Sequence, residues 1–274
     1  IMSFDTLGPG GLDYLPCRYG TSKILFRGPK RTLDAPYVAF FGGTTTYGKF
    51  VETPFPALIE QDLGMPCVNF GCVNAGVDLY AADPVLREAA TQARVTVLQV
   101  ISPRNMSNRF YKVHPRRNDR FIEASPLLRT IYREVDFTEF NFTNHMLQRL
   151  YLISPDRFHT VVDELRTAWQ ARMRLVLSQI PGKTILLWAS QHAPADQALD
   201  IDADPAFVTS PMIAEIAPLV TRFVQVVASD AAMAAGTDGM VFPEMDAPAA
   251  ATMLGPPVHR EIADALLPTL EEMA

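Results

Sequence analysis

Apolar positions gather in five short runs: Tyr37–Phe41, Cys67–Phe70, Val95–Ile101, Thr184–Ala189 and Phe223–Ala228. Each has the length and the β-branched or aromatic content of a strand buried on both faces, which reads as a continuous run rather than as alternation. Between the runs, apolar residues recur at helical spacing. Pro54–Leu63 stops at Gly64, and Asp83–Ala93 carries Pro84 in the first turn, where a missing N–H is harmless. Pro155–Ile180 is a long amphipathic stretch closed by Pro181-Gly182. A last helix over His259–Met273 follows the breakers Gly255-Pro256-Pro257.

Strands alternating with helices predict an α/β fold, a parallel sheet covered on both faces and joined by right-handed crossovers. Ligands of such sheets bind beyond the carboxyl ends of the strands, where strand order reverses. The residues that follow each strand are therefore the candidate chemistry. Residues 106–153 break the alternation; this segment, Met106–Ile153, is aromatic and charged and predicts a helical insertion over the same edge. No repeat interrupts the chain, Ala247–Pro257 reads as a loop, and residues 1–274 are expected to form one domain.

A chain of 274 residues that is 48% hydrophobic can bury a large core. Its 24 basic and 30 acidic residues give a net charge of -6, which argues against a general nucleic-acid or anionic-membrane binder. Cys17, Cys67 and Cys72 form neither an even disulfide framework nor a metal or redox spacing, so a reducing compartment is expected. No run approaches the roughly 18 apolar residues of a membrane span. Met2-Ser-Phe-Asp-Thr lacks the basic-then-apolar pattern of a leader, and the expected location is cytoplasmic.

The first strand leads into Gly42-Gly43-Thr44-Thr45-Thr46-Tyr47-Gly48. Two glycines let the backbone turn sharply, and the hydroxyls of Thr44, Thr45 and Thr46 either cap the following helix or face a ligand near its positive end. The second strand leads into Asn69-Phe70-Gly71-Cys72-Val73-Asn74-Ala75-Gly76, a small-residue turn whose amides can point at an oxyanion. The third leads into Ser102-Pro103-Arg104-Asn105-Met106, with an amide side chain at the same edge.

These blocks, in this order, resemble the SGNH, or GDSL-like, hydrolase superfamily. The resemblance implies a doubly wound, flavodoxin-like sheet of five parallel strands in the order 2-1-3-4-5. It puts Thr44 where the family has its nucleophilic serine, matches the family's Asn-x-Gly turn with Asn69-Phe70-Gly71, and matches its third-block asparagine with Asn105. The Thr44 and Gly71 amides and the Asn105 side chain would then form an oxyanion hole.

Two features depart from the family pattern. A threonine nucleophile carries an extra methyl that stiffens χ1 and crowds attack. The family's Asp-x-x-His element before the last helix has no intact counterpart. With His259 as the histidine, Pro256 occupies the acid's place; other registers put Met253 or Val241 at the histidine. His259 and His192 are the candidate bases, with a helix-cap or packing role as the alternative for His259. Asp230, Glu244 and Asp246 are available to orient an imidazole.

From Arg104 to Arg120 six cations, Arg104, Arg109, Lys112, Arg116, Arg117 and Arg120, face one acid, Asp119. Arginine forks suit phosphate, sulfate or carboxylate, so Arg104, Arg109, Arg116 and Arg117, with Thr45, Thr46 and Asn74, are candidates for holding an anionic or glycan-type small substrate. The alternative is a solvated loop paired with Glu123, Glu134, Asp136 and Glu139. A second basic run, Arg27-Gly28-Pro29-Lys30-Arg31, precedes the first strand and is expected at the opposite edge of the sheet.

The histidines are scattered and no phosphate-binding glycine motif occurs, so no cofactor and no metal are expected. The leading expectation is an ester hydrolase or acyltransferase. Its rivals are a degenerate domain that binds an anionic ligand, and a sulfuryl or phosphoryl transferase. No nucleic-acid partner is expected, and the aromatic residues of Arg120–Ile153 are expected either to cover the site or to form a homodimer surface.

Overall fold

A computed structural model describes residues 10–274. Its strands are β1 (Val38–Phe41), β2 (Cys67–Asn69), β3 (Val95–Gln99), β4 (Tyr111–His114), β5 (Arg117–Ala124), β6 (Lys183–Ser190) and β7 (Arg222–Val227). The helices are α1 (Thr44–Tyr47), α2 (Phe55–Leu63), α3 (Val77–Ala82), α4 (Pro84–Gln92), α5 (Pro126–Ile131), α6 (Thr143–Ile153), α7 (Pro155–Ser178), α8 (Ser210–Ile216), α9 (Asp230–Ala234), α10 (Ala247–Ala250) and α11 (Pro256–Met273). None of the described helices is long and apolar enough to cross a membrane.

Five strands form one parallel sheet in the order β2-β1-β3-β6-β7. With the hairpin β4–β5 set aside, this is the order 2-1-3-4-5, and strand order reverses between β1 and β3. The apolar runs split by parity between two cores, as strand geometry requires. Ala39, Phe41, Val68 and Leu98 face Leu79, Leu86, Trp169 and Met173 of α3, α4 and α7. Val38, Phe40, Val95 and Val97 face Phe55, Ile59, Ile262 and Leu266 of α2 and α11. A continuous apolar run is thus two alternating sets, each serving one helical layer.

Two expectations are corrected in detail. The insertion opens with an antiparallel hairpin, in which Tyr111 pairs with Ala124 and His114 with Arg117, before its helices begin. Burial along Tyr111–His114 alternates, the period of a half-buried strand, and the density of charge had masked that signal. The insertion then builds a third core, where Phe110, Tyr111, Leu128 and Leu147 pack with Phe158, Val161 and Leu165 of α7. The last helix begins at Pro256, three residues early, because Pro256 and Pro257 occupy first-turn positions that need no N–H donor.

Candidate functional site

The turn after β1 is tightly packed and held by side-chain hydrogen bonds. At Gly42 a Cβ would stand 2.2 Å from Thr46 Oγ1 and 2.5 Å from Gln99 Oε1, so glycine alone fits. Gln99 ends β3 and gathers the turn: its Oε1 accepts from the Gly43 amide at 3.1 Å, the Thr46 amide at 3.2 Å and Thr46 Oγ1 at 2.6 Å. The Tyr80 hydroxyl donates to the Gly42 carbonyl, and burial raises its pKa well above the ordinary value, so it remains a neutral donor. A Cβ on Gly71 would meet the Tyr47 amide nitrogen at 2.4 Å, so α1 and the loop leaving β2 touch backbone to backbone.

Beyond this turn lies a cleft of about 340 Å³, including the part open to solvent, whose lining includes Thr44, Asn74, Gln99, Arg104, Asn105 and Asp204. It sits at the edge where strand order reverses, the place doubly wound sheets use for ligands. Thr44, Asn74, Arg104 and Asn105 are thereby brought together. Thr45 and Thr46 share the turn, but Thr46 is buried and spends its hydroxyl on Gln99.

Among the described residues, the Thr44 hydroxyl bonds only to Asn74. Its oxygen accepts from the Asn74 amide at 3.0 Å and lies 3.5 Å from Asn74 Oδ1. Asn74 reaches this position with φ +56, in the left-handed region that asparagine tolerates better than most residues. Of the three groups expected around an oxyanion, the Thr44 amide makes no hydrogen bond with any described residue. The Gly71 amide is spent on Asn69 Oδ1 at 2.9 Å. Asn105 Nδ2 donates to the Asn74 carbonyl at 3.0 Å and its Oδ1 accepts from Thr143 at 2.6 Å, leaving one N–H.

Neither candidate base bonds to Thr44, nor does any other of the five histidines, all of which are described. His259 is 1% exposed, in the first turn of α11. Its Nδ1 accepts the Phe55 amide at 3.0 Å, which caps the start of α2 from a neighbouring helix. Burial, assisted by the Arg27 charge, lowers its pKa to about 3, so the ring is a neutral acceptor. His192 follows β6 near the cleft: its amide donates to Ser190 Oγ at 3.3 Å, and Ser190 Oγ donates to the carbonyl of Asp204, which lines the cleft, at 2.7 Å. Its Nδ1 lies 2.9 Å from the Ala193 carbonyl, and its Nε2 is buried without a partner.

Most of the basic segment is engaged. Arg104 bonds the Ile201 carbonyl at 2.7 Å and pairs with Asp204 at 3.2 Å. Arg109 pairs with Glu164 at 2.7 Å, Lys112 with Glu123 at 2.6 Å, and Arg120 lies 5.1 Å over the Phe142 ring. Arg116 and Arg117, at the hairpin tip, are exposed and make no ion pair among the described residues. The second basic run is not a patch. Arg27 is 6% exposed and donates to the carbonyls of Tyr47, Gly48, Val51 and Glu52 at 2.6–3.1 Å, fixing the loop behind α1. Arg31 pairs with Glu60.

Sequence reasoning missed Gln99 and Asp119. Gln99 was a lone amide in an apolar run, a signal that a strand end needs a polar partner. Asp119 accepts from Asn74 Nδ2 at 3.2 Å, and nothing along the chain links positions 74 and 119.

The fold defines a doubly wound α/β protein with a cleft at the switch point of its sheet. The chain belongs to the family described as a domain of unknown function, DUF6473, which matches residues 2–274. Among curated proteins nothing matches. Among solved structures the chain is similar to the lipase Lip_vut3 from a goat rumen metagenome, with 11% identity over 88% of this chain and 99% of that one and a TM-score of 0.46. That likeness carries no argument about chemistry.

Proposed function

We propose that the protein is an SGNH-like domain that binds a small polar ligand at the Thr44 cleft and does not hydrolyse esters through a triad. The observation that carries this reading is the Thr44 hydroxyl bonded, among the described residues, to Asn74 alone, with no imidazole on it. A hydroxyl is a weak nucleophile until an adjacent base removes its proton. The Arg104–Asp204 pair leaves the cleft without a surplus cation, which favours a neutral or mixed-charge ligand over an anion. The expected result is slow turnover of a short-chain aryl ester at the same rate, within about twofold, for the wild type and Thr44→Ala. A wild-type rate tenfold or more above the variant would sink the reading.

A second reading, an ester hydrolase or acyltransferase with Thr44 as nucleophile, is favoured by one feature of His192. The Ala193 carbonyl can only accept, so Nδ1 carries the proton and the unpaired Nε2 is the basic nitrogen. In this reading His192→Gln abolishes whatever turnover Thr44→Ala removes.

A further inference from the structure

We infer that Asp119 is a positioning residue that sets the polarity with which Thr44 meets its ligand. At the Thr44 oxygen it selects a ligand that presents a hydrogen-bond donor, a hydroxyl or an amine, over a bare oxyanion, while the Thr44 amide and the remaining Asn105 N–H are left for that ligand's acceptors. The inference rests on the Thr44 cleft being the ligand site and names the chemistry that site selects.

A carboxylate can only accept, so the atom of Asn74 that faces Asp119 Oδ2 at 3.2 Å must be the amide nitrogen. This decides the otherwise ambiguous orientation of the side-chain amide. Asn74 Oδ1 is then turned to Thr44 Oγ1 at 3.5 Å, while the Asn74 backbone amide donates to the same oxygen at 3.0 Å. The hydroxyl has one proton and two lone pairs. The proton is directed to Asn74 Oδ1, one lone pair is filled by the backbone amide, and the other lone pair is left for the cleft. Thr44 therefore faces the ligand as an acceptor.

Were the amide reversed, Thr44 would accept from both Asn74 nitrogens and turn its proton into the cleft, the arrangement an oxyanion needs. Asp119 prevents that reversal. Among the described residues the carboxylate makes no ion pair, although Arg117 and Arg120 stand near it along the chain, so its acceptor capacity remains for Asn74. Asp119 is placed by the hairpin: its neighbour Asn118 is 2% exposed, accepts the Gly76 amide at 2.9 Å and donates to the His114 carbonyl at 3.0 Å. The insertion thus delivers a carboxylate to the loop that leaves β2, and through that loop to the end of β1.

A joint X-ray and neutron structure from crystals grown in D2O tests the geometry without a ligand. The wild type is expected to show deuterium on the Asn74 atom facing Asp119 and the Thr44 deuteron turned to Asn74 Oδ1. Asp119→Leu is expected to release the amide and turn the Thr44 deuteron toward the cleft. A wild-type structure with the Asn74 nitrogen facing Thr44, or an unchanged Asp119→Leu structure, overturns the inference.

A second arm follows the ¹³C-labelled Thr44 methyl while methyl α-D-glucopyranoside or sodium sulfate is added at constant ionic strength. The wild type is expected to bind the polyol at least fivefold more tightly than sulfate, and Asp119→Leu to lose that preference. Equal preferences in the two proteins overturn the inference. If neither probe moves the methyl in either protein while the neutron geometry holds, the cleft fails as a ligand site, and the ligand half of the inference falls with it.

Discussion

Thr44 and His259 show two fates for a reactive side chain in one fold. Thr44 opens a four-residue helix at the mouth of a cleft and is only half-buried; His259 lies in the first turn of an eighteen-residue helix and is 1% exposed. The hydroxyl keeps a lone pair that faces the cleft, whereas the imidazole spends Nδ1 on the Phe55 amide and is held neutral by burial. What separates the cleft residue from the core residue is spare hydrogen-bonding capacity facing solvent. Two regions of similar polarity in sequence thus become a wet edge and a dry brace.

The largest effect is expected at the wet edge. A Cβ on Gly76 would stand 1.6 Å from the Asn105 carbonyl oxygen, a backbone atom that cannot step aside. Gly76→Ala should cost about 3 kcal/mol or more in urea unfolding, in the range of severe overpacking. A cost under about 1 kcal/mol would show that the loop is not locked against Asn105.

Next comes the dry brace. His259→Ala removes a buried ring and orphans the Phe55 amide, so a loss of about 2–4 kcal/mol is expected. Stability measured in urea should fall while the Thr44 methyl resonance stays in place. A variant as stable as the wild type would return His259 to the list of functional groups.

The same brace predicts an acid response. The folded-state pKa of His259 is depressed to about 3, and an unfolded histidine titrates near 6.5. Above about pH 6.5 both states are neutral and the full contribution is present. As pH falls below that value the unfolded chain takes up a proton that the folded chain refuses, and stability drops by about 1.4 kcal/mol per pH unit until the folded pKa is reached. Thermal melts of the wild type and His259→Gln between pH 7 and pH 4 should converge as the pH falls. Parallel curves would contradict a neutral buried ring.

The smallest effect is expected at the hairpin tip. Arg116→Ala with Arg117→Ala should leave stability within about 0.5 kcal/mol, as for exposed groups without partners. Calorimetric titration with inorganic sulfate should also be unchanged, because neither arginine lines the cleft. Weakened sulfate binding would extend the site to the tip.

Much of this fold was legible along the chain. The five apolar runs fall on the five strands of the main sheet, and ladder bonds extend past the formal ends at Phe70 and Val100, at 2.8 Å each. Gly42 and Gly71 lie in the glycine turns read along the chain, and a Cβ at Gly42 would meet the Thr46 and Gln99 side chains while one at Gly71 would meet the backbone of α1. The hairpin was less legible, because charged residues on its exposed face hid a period of two. Arg27 was expected at the opposite edge of the sheet, but its buried guanidinium reaches the carbonyls of Tyr47, Gly48, Val51 and Glu52 behind α1, partners twenty or more residues away that no local pattern names.

The sequence by itself determined the sheet and the edge at which chemistry is possible, because burial on both faces and the glycine turns are local properties of the chain. Only the tertiary structure decided how each polar group there is spent. Hydrogen bonds such as Asn74 to Asp119 and Phe55 to His259 join positions 45 and 204 residues apart. A group's protonation and its remaining donors and acceptors depend on those partners, and no local pattern encodes them. The Thr44 turn is therefore written in the chain, and the company Thr44 keeps is written in the fold.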